Sequence, residues 1–313
     1  MIKWKKRLIL SGIAAVLCAA MLAGCGASSS KTTASNAKGS AQTSADTGSA
    51  EQAKQKKQEE QKKLEDQKKK EEEEAKKIPK GDKYIALTFD DGPTGNEDGR
   101  TERLLDGLKE RNAHATFFLC GYRVKDFNSM MKRYLAEGHE VGNHTMDHKL
   151  AHEVSDGDYE QVSSNNDLIQ SYTGQKPTVF RPCGGEYNES VQASMQKLGM
   201  PIILWDVDTL DWKYRDAASV KQHILDGAQD GAIVLEHDLY ETTVEGVLAA
   251  IDELQQQGYA FVTVSELAKI KGVTLEAGKV YNGFTDEDLG LNTESETTGD
   301  SKASTEATNS TSN

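Results

Sequence analysis

The chain is poor in cysteine, in net positive charge and in long apolar runs, and each shortage excludes something. Four cysteines in 313 residues cannot build a disulfide framework. Two of them, Cys18 and Cys25, fall within the first 25 residues, so only Cys120 and Cys183 remain in the body of the chain, and free thiols are expected there. A formal net charge of −13 is unsuited to holding nucleic acid, or an anionic membrane surface, by general electrostatics. One apolar stretch stands out, "LILSGIAAVLCAAML" at residues 8–22, and it is shorter than a typical membrane span.

What is there begins with that stretch. It follows a basic head of Lys3, Lys5, Lys6 and Arg7 and runs into "LAGC", the order of parts in an export signal. The junction resembles a bacterial lipobox, in which cleavage ahead of the cysteine leaves Cys25 to carry lipid. An uncleaved signal anchor is the other reading, and either one exports the body. Loss of the four basic residues takes the net charge to −17 (−13 − 4, no acid preceding Cys25). A lipid chain tethers a protein to a membrane surface without spanning it. The expected localisation is therefore extracytoplasmic, anchored to the cell membrane, with residues 1–25 as the signal peptide.

Residues 26–80 read as a spacer. Residues 26–52 are mostly Ser, Thr, Ala and Gly, and residues 53–77 mix both charge signs with good helix formers, a composition that cannot bury a core. No apolar heptad runs through residues 53–77, which argues against a coiled coil. Residues 274–313 are expected to be a mostly disordered tail, acidic and rich in Ser and Thr from residue 289. That leaves residues 81–273, enough for one substantial core. Strand-like runs occur at Tyr84–Phe89, Ala115–Cys120, Glu140–Asn143, Thr178–Arg181, Pro201–Val207, Ala232–Glu236 and Ala260–Val264, with helical patterns such as "TERLLDGLKERN" and "TTVEGVLAAIDELQQQGY" between them. The alternation predicts an α/β fold with a parallel sheet. Seven strands suggest an incomplete barrel.

Polar residues that do not suit a core gather at the carboxyl ends of those strands. Asp90 and Asp91 close the first, His144 the third and Arg181 the fourth, while Asp206 to Asp211 follow the fifth and His237 the sixth. In parallel α/β folds that edge is where sites are built. Two adjacent carboxylates repel one another there and need a reason. His144 and His148 of "NHTMDH" are four apart, which on a helical turn gives two imidazoles on one face. Two histidines and one carboxylate form a metal set with positions left open for water and substrate. The second carboxylate is then free to act as a base.

"TFDDGP", "HTMDH", "FRPCGG", "DTLDW" and "LEH", in this order and spacing, resemble the NodB-homology polysaccharide deacetylases, carbohydrate esterase family four. The resemblance spans residues 81–273 and implies a distorted (β/α)7-type barrel that hydrolyses N-acetyl groups. By resemblance, Asp91, His144 and His148 would bind one divalent metal, zinc foremost, with cobalt or another transition metal as alternatives. Asp90 would be the general base and Arg181 the group that holds it. His237 would be the general acid and Asp211 its orienting partner. Gly184 would offer a backbone N–H to the oxyanion, and Trp212 would wall the sugar pocket. His114, His139, His152 and His223 have no motif context and read as surface or structural.

Two features depart from the family's pattern. Cys183 and Gly184 stand where a second proline and an aromatic are common, which leaves pocket shape and substrate preference open. Asp147 is expected to add a charge near the metal. A lipid-anchored enzyme on a long spacer meets peptidoglycan first, so its N-acetylglucosamine units are the expected substrate and a monomer the expected form. Chitin oligosaccharides, acetyl-xylan, or an inactive glycan-binding lipoprotein are the alternatives.

Overall fold

A computed structural model describes residues 47–94 and 99–291. The signal segment with Cys25, the Ser/Thr-rich stretch to residue 46 and the tail from residue 292 lie outside the described residues. The charged spacer forms one helix, Thr47–Ala75. Its side chains from Lys56 to Glu73 are all exposed, as expected where most residues are good helix formers and no apolar stripe exists. A Gln67–Glu71 hydrogen bond of 3.1 Å shows the i,i+4 support available to such a helix.

Among the described residues the folded unit is built on eight strands: β1 (Lys83–Asp90), β2 (Thr116–Leu119), β3 (Glu140–Asn143), β4 (Ile202–Ile203), β5 (Val207–Asp208), β6 (Ile233–His237), β7 (Tyr259–Phe261) and β8 (Val280–Tyr281). Every pairing among them is parallel. From β1 the sheet runs through β2 to β3 on one side and through β6 to β5 on the other. Phe180 then bridges Asn143 and Ile202, linking β3 to β4, and the chain passes from β4 directly into β5. The ring therefore closes. β7 pairs with Lys83–Ile85 at the start of β1, while β2 pairs with Thr88–Asp90 at its end. This is the distorted (β/α)7-type barrel.

Burial on both faces explains the near-continuous apolar run of β1. Ile85, Leu87 and Phe89 join the core under the helices, with Leu104 and Leu108 of helix Arg100–Glu110 and Val247 and Ile251 of helix Glu241–Gln256. Ala86 belongs to the second core, with Phe118, Ile203, Ile233 and Phe284. Each such Leu, Ile or Phe contributes about 1.5–3 kcal/mol by leaving water. The alternation along β1 puts Thr88 and Asp90 on the same face as Ala86, toward the barrel interior. Register places Asp90 opposite His237 of β6.

Several elements differ from the sequence reading. Thr178–Arg181 contributes only the bridge at Phe180, and Pro182 after it has no N–H to extend a ladder. Pro201–Val207 divides into two short strands, β4 and β5, that serve opposite neighbours. Ala260–Val264 is cut short by a capping box: the Thr263 hydroxyl accepts from Glu266 N (3.1 Å) and the Glu266 carboxylate accepts from Thr263 N (2.9 Å), so a helix begins at Val264. The packed chain also continues past residue 273. β8 pairs with β4, and Phe284 is fully buried, so the apolar island "VYNGF" belongs to the fold and not to a disordered tail.

Candidate active site

Arg181 is the fixed point of the strand-end cluster. It is fully buried and its guanidinium donates four hydrogen bonds: to Asp90 Oδ1 (2.9 Å), Thr88 Oγ1 (2.7 Å), Ile203 O (3.0 Å) and Leu204 O (2.8 Å). Phe118 lies against its face, 4.2 Å from ring centroid to guanidinium carbon. Burial pushes the guanidinium pKa down and the Asp90 charge pulls it back up. Asp90 is itself buried, and a buried carboxylate needs such a partner.

Asp91 turns the other way. Its Oδ1 lies 3.0 Å from His148 Nε2 and 3.5 Å from His144 Nε2. His144 Nδ1 donates to the Arg181 carbonyl (2.7 Å), which fixes the tautomer and leaves an unprotonated Nε2 aimed at Asp91 and, at 3.7 Å, at Asp90. A lone pair facing two carboxylates is a cation's place. Burial lowers the His144 pKa, which keeps that ring neutral. For Asp91, burial opposes ionisation, but the His148 hydrogen bond and the nearby imidazoles hold its carboxyl well below the usual range. The His148 pKa is raised to about 11 by its hydrogen bonds to Asp91 and Cys183.

His144 and His148 do not share a helical face as their spacing suggested. They sit in a loop, and their rings are brought to 5.2 Å by left-handed backbone at Thr145 (φ 68°) and His148 (φ 53°). Such a conformation is uncommon for a β-branched residue and is held only where neighbours enforce it. Here Asn143 Oδ1 accepts from Thr145 N (2.8 Å), Asn165 donates to Thr145 O (2.9 Å), and Thr145 Oγ1 accepts from His148 N (3.1 Å). Asp147 is exposed and bonded to Gln161 through both backbone and side chain, so the charge expected beside the metal is turned away from it.

The third group is His237. Its Nδ1 is 2.8 Å from Asp211 Oδ1, and its backbone N donates to Asp211 Oδ2 (2.7 Å). Asp211 is fully buried and also accepts from Thr243 Oγ1 (2.8 Å) and Trp212 N (2.7 Å). Burial alone would lower the His237 pKa, but the Asp211 bond and charge raise it to about 9, helped by Asp90 and Asp91. Trp212, whose N–H donates to Asp211, is half-exposed, and Gly184 sits in left-handed backbone (φ 61°), where an added Cβ would meet Leu150. All nine sequence-derived residues of the folded unit thus fall at this end of the barrel.

Thr88, Thr243, Asn143 and Asn165 were missed, since one polar residue inside an apolar run carries no signal of the partner it will meet. The free thiols Cys120 and Cys183 also border the cluster, each near the His144 carbonyl at 3.5 and 3.6 Å. The four other histidines are structural or surface: His114 pairs with Glu266, His152 with Glu186, His223 bonds Ser219 O, and buried His139 packs edge-on against Phe117. A cavity of about 450 Å³ lies away from the site, beside His114, His139 and the first residues of β3.

Strand-end carboxylates beside paired imidazoles, facing a second imidazole–carboxylate pair, define a hydrolase-type site on a parallel barrel. The family model "Polysaccharide deacetylase" matches residues 77–203. The chain is 43% identical over 213 residues to peptidoglycan-N-acetylglucosamine deacetylase PgdA of Listeria monocytogenes, covering 67% of this chain and 44% of that protein. It is 40% identical over 190 residues to peptidoglycan-N-acetylmuramic acid deacetylase PdaC of Bacillus subtilis, covering 60% of this chain and 39% of that one. The chain thus spans less than half the length of both. Among solved structures, a family 4 acetyl xylan esterase from Clostridium thermocellum in complex with a cobalt ion matches with a TM-score of 0.59 and 32% identity, over 64% of this chain and 98% of that one. The chain belongs to the polysaccharide deacetylase family.

Proposed function

We propose that the chain removes N-acetyl groups from peptidoglycan, at N-acetylglucosamine units, with one divalent cation held by Asp91, His144 and His148. The observation that carries this is the convergence of three donor atoms, Asp91 Oδ1 and the two Nε2 atoms, beside an arginine-paired second carboxylate. Zinc or cobalt suits a set of two imidazoles and one carboxylate, and the similar esterase structure contains cobalt. When bound, the cation would polarise the acetyl carbonyl and lower the pKa of an adjacent water to about 7.

The chain's own groups supply the rest. Asp90, held by Arg181, takes the proton from the attacking water. The Gly184 N–H stabilises the oxyanion, a contribution of roughly 3 kcal/mol for such a donor. An amide nitrogen leaves poorly until protonated, and His237, kept charged by Asp211, delivers that proton. Trp212 presents an exposed ring for a sugar to stack on. The products are acetate and a free sugar amine.

The substrate rests on the PgdA likeness and on the export signal. The lipid anchor at Cys25 is part of the same proposal: Cys25→Ser should release the protein from washed membranes, and retention of a processed form there would exclude lipid at that residue. Full-length protein should release acetate from purified peptidoglycan faster than from chitin oligomers or acetyl-xylan, and mass spectrometry of the digested glycan should place the free amine on glucosamine. A free amine on muramic acid, or preferential release from acetyl-xylan, would redirect the substrate assignment.

A further inference from the structure

Cys183 stands beside the imidazole pair with no role assigned so far. The ligand atoms of His144, His148 and Cys183 all lie within 4.8 Å of one another, and the sulfur is buried. Two ligands of one tetrahedral zinc, an imidazole nitrogen and a thiolate, stand about 3.5 Å apart, given bond lengths of about 2.0 and 2.3 Å. The three atoms stand on that scale, and Asp91, outside their group, reaches the two imidazoles at 3.5 and 3.0 Å. Among the described residues the sulfur's partners are Thr145 Oγ1 at 3.3 Å, His144 O at 3.6 Å and the His148 ring.

The placement is built in. Pro182 is extended, Cys183 opens one turn of 3-10 helix, and Gly184 follows in left-handed backbone. The residue before Pro182 is Arg181, whose side chain is locked by four hydrogen bonds and whose carbonyl holds His144. Cys183 is thus tied to the same anchor as the imidazole it faces. Cys120 is not placed equivalently. Its sulfur reaches the His144 carbonyl and, at 3.8 Å, Asp91 Oδ1, but it does not join the cluster with the imidazoles.

We propose that Cys183 Sγ coordinates, as a thiolate, the divalent ion held by Asp91, His144 and His148, which makes this site selective for thiophilic metals. The inference rests on the metal reading given under Proposed function. On binding, the Cys183 S–H bond breaks, the sulfur–metal bond forms with the sulfur's electron pair, and the proton leaves to solvent. A soft sulfur donor favours zinc, cobalt or cadmium over magnesium, calcium or manganese, which oxygen donors serve. The added negative charge also offsets more of the ion's charge than Asp91 alone.

Cobalt reports this directly, because thiolate coordination produces an intense near-ultraviolet charge-transfer band that imidazole and carboxylate ligands do not. Full-length metal-free protein titrated with Co²⁺ should bind one equivalent and develop that band. Cys183→Ser should bind cobalt without the band and with affinity weakened about tenfold or more, while Cys120→Ser should keep the band. Circular dichroism checks that each variant is folded. One equivalent of cobalt bound without the band, or a band lost in Cys120→Ser instead, would overturn the thiolate alone. No stoichiometric cobalt binding would overturn the metal reading and the thiolate together.

Discussion

Asp90 and Arg181 are joined at 2.9 Å, and the arginine is fully buried. This pair answers why two acids can stand side by side at the mouth of β1. Each has its own cation: a guanidinium for Asp90, and for Asp91 a place between two imidazoles that a proton or a metal fills. Arg181 also links the two halves, because its backbone carbonyl orients His144 while its side chain holds Asp90.

Removing the guanidinium should cost stability as well as activity. Arg181→Met leaves the Asp90 carboxylate buried without a partner and orphans the Ile203 and Leu204 carbonyls, so a loss of about 3–5 kcal/mol is expected. Arg181→Lys keeps the charge but not the fork that reaches four acceptors, and should recover only part of it. Urea denaturation of both variants measures this. Wild-type stability in Arg181→Met would mean that the pair does not hold the strand end.

The proton on His237 sets an alkaline limit. Its folded pKa is raised to about 9, above the unfolded value of about 6.5, so the group binds its proton more tightly when folded. Its contribution to stability is fully present below about pH 6.5 and is lost as pH rises through 9. A general acid needs that proton, so kcat should fall above about pH 9. Asp211→Asn removes the charge that raises the pKa and should move this limb down by at least one pH unit. Thr243→Val should give a smaller shift in the same direction, since Thr243 only steadies Asp211. A pH–rate profile decides, and an unmoved alkaline limb in Asp211→Asn would remove His237 as the acid.

Most of the site was legible because its residues break local rules. Paired acids at a strand end, an arginine ending an apolar run and two histidines soon after Gly142-Asn143 are conspicuous against a buried sheet. The barrel was legible for the opposite reason, since strands buried on both faces follow the rule and are continuous apolar runs. What could not be read depends on distant partners. The Thr178–Arg181 run has strand composition, yet its last side chain is drawn inward by Thr88 and Asp90, some ninety positions away in sequence. β8 follows a polar stretch and gains its place only by pairing with β4. Spacing of four suggested a helix for His144 and His148, but tertiary bonds from Asn143 and Asn165 hold a loop there instead.

Glu236 is a buried carboxyl with no hydrogen-bond partner among the described residues. Burial, with the charge of Asp211 added, pushes its pKa well above the usual carboxylate value. The native state therefore binds this proton more tightly than the unfolded chain, and stability falls as pH rises above about 4.3, the unfolded value. Asp238, raised to about 6, and Asp206, raised to about 7, act in the same sense. Glu236→Gln removes the ionisation and should stabilise the fold at pH 8 by about 1–3 kcal/mol, with little change at pH 4.5. Thermal melts at the two pH values test it. An equal effect at both would show that ionisation is not the cause.

The two aspartates at residues 90 and 91 should fail in different ways. Asp90→Asn keeps size and hydrogen-bonding capacity beside Arg181, but an amide cannot accept the water's proton. The rate should fall by about 10²–10⁴-fold, the range for a general base. Metal content should stay near that of the parent, because Asp90 Oδ1 is committed to Arg181 and its other oxygen lies 3.7 Å from His144. Asp91→Asn removes the anionic donor at 3.0 and 3.5 Å from the two imidazoles, so metal affinity should drop first and excess zinc should restore part of the rate. His148→Ala should behave like Asp91→Asn. His237→Ala should keep its metal, and its defect should shrink on activated esters, whose leaving groups need no proton. Zinc content by atomic absorption, measured beside acetate release for all four variants, separates these outcomes. Loss of metal from Asp90→Asn with retention in Asp91→Asn would mean the two carboxylates carry each other's assigned roles.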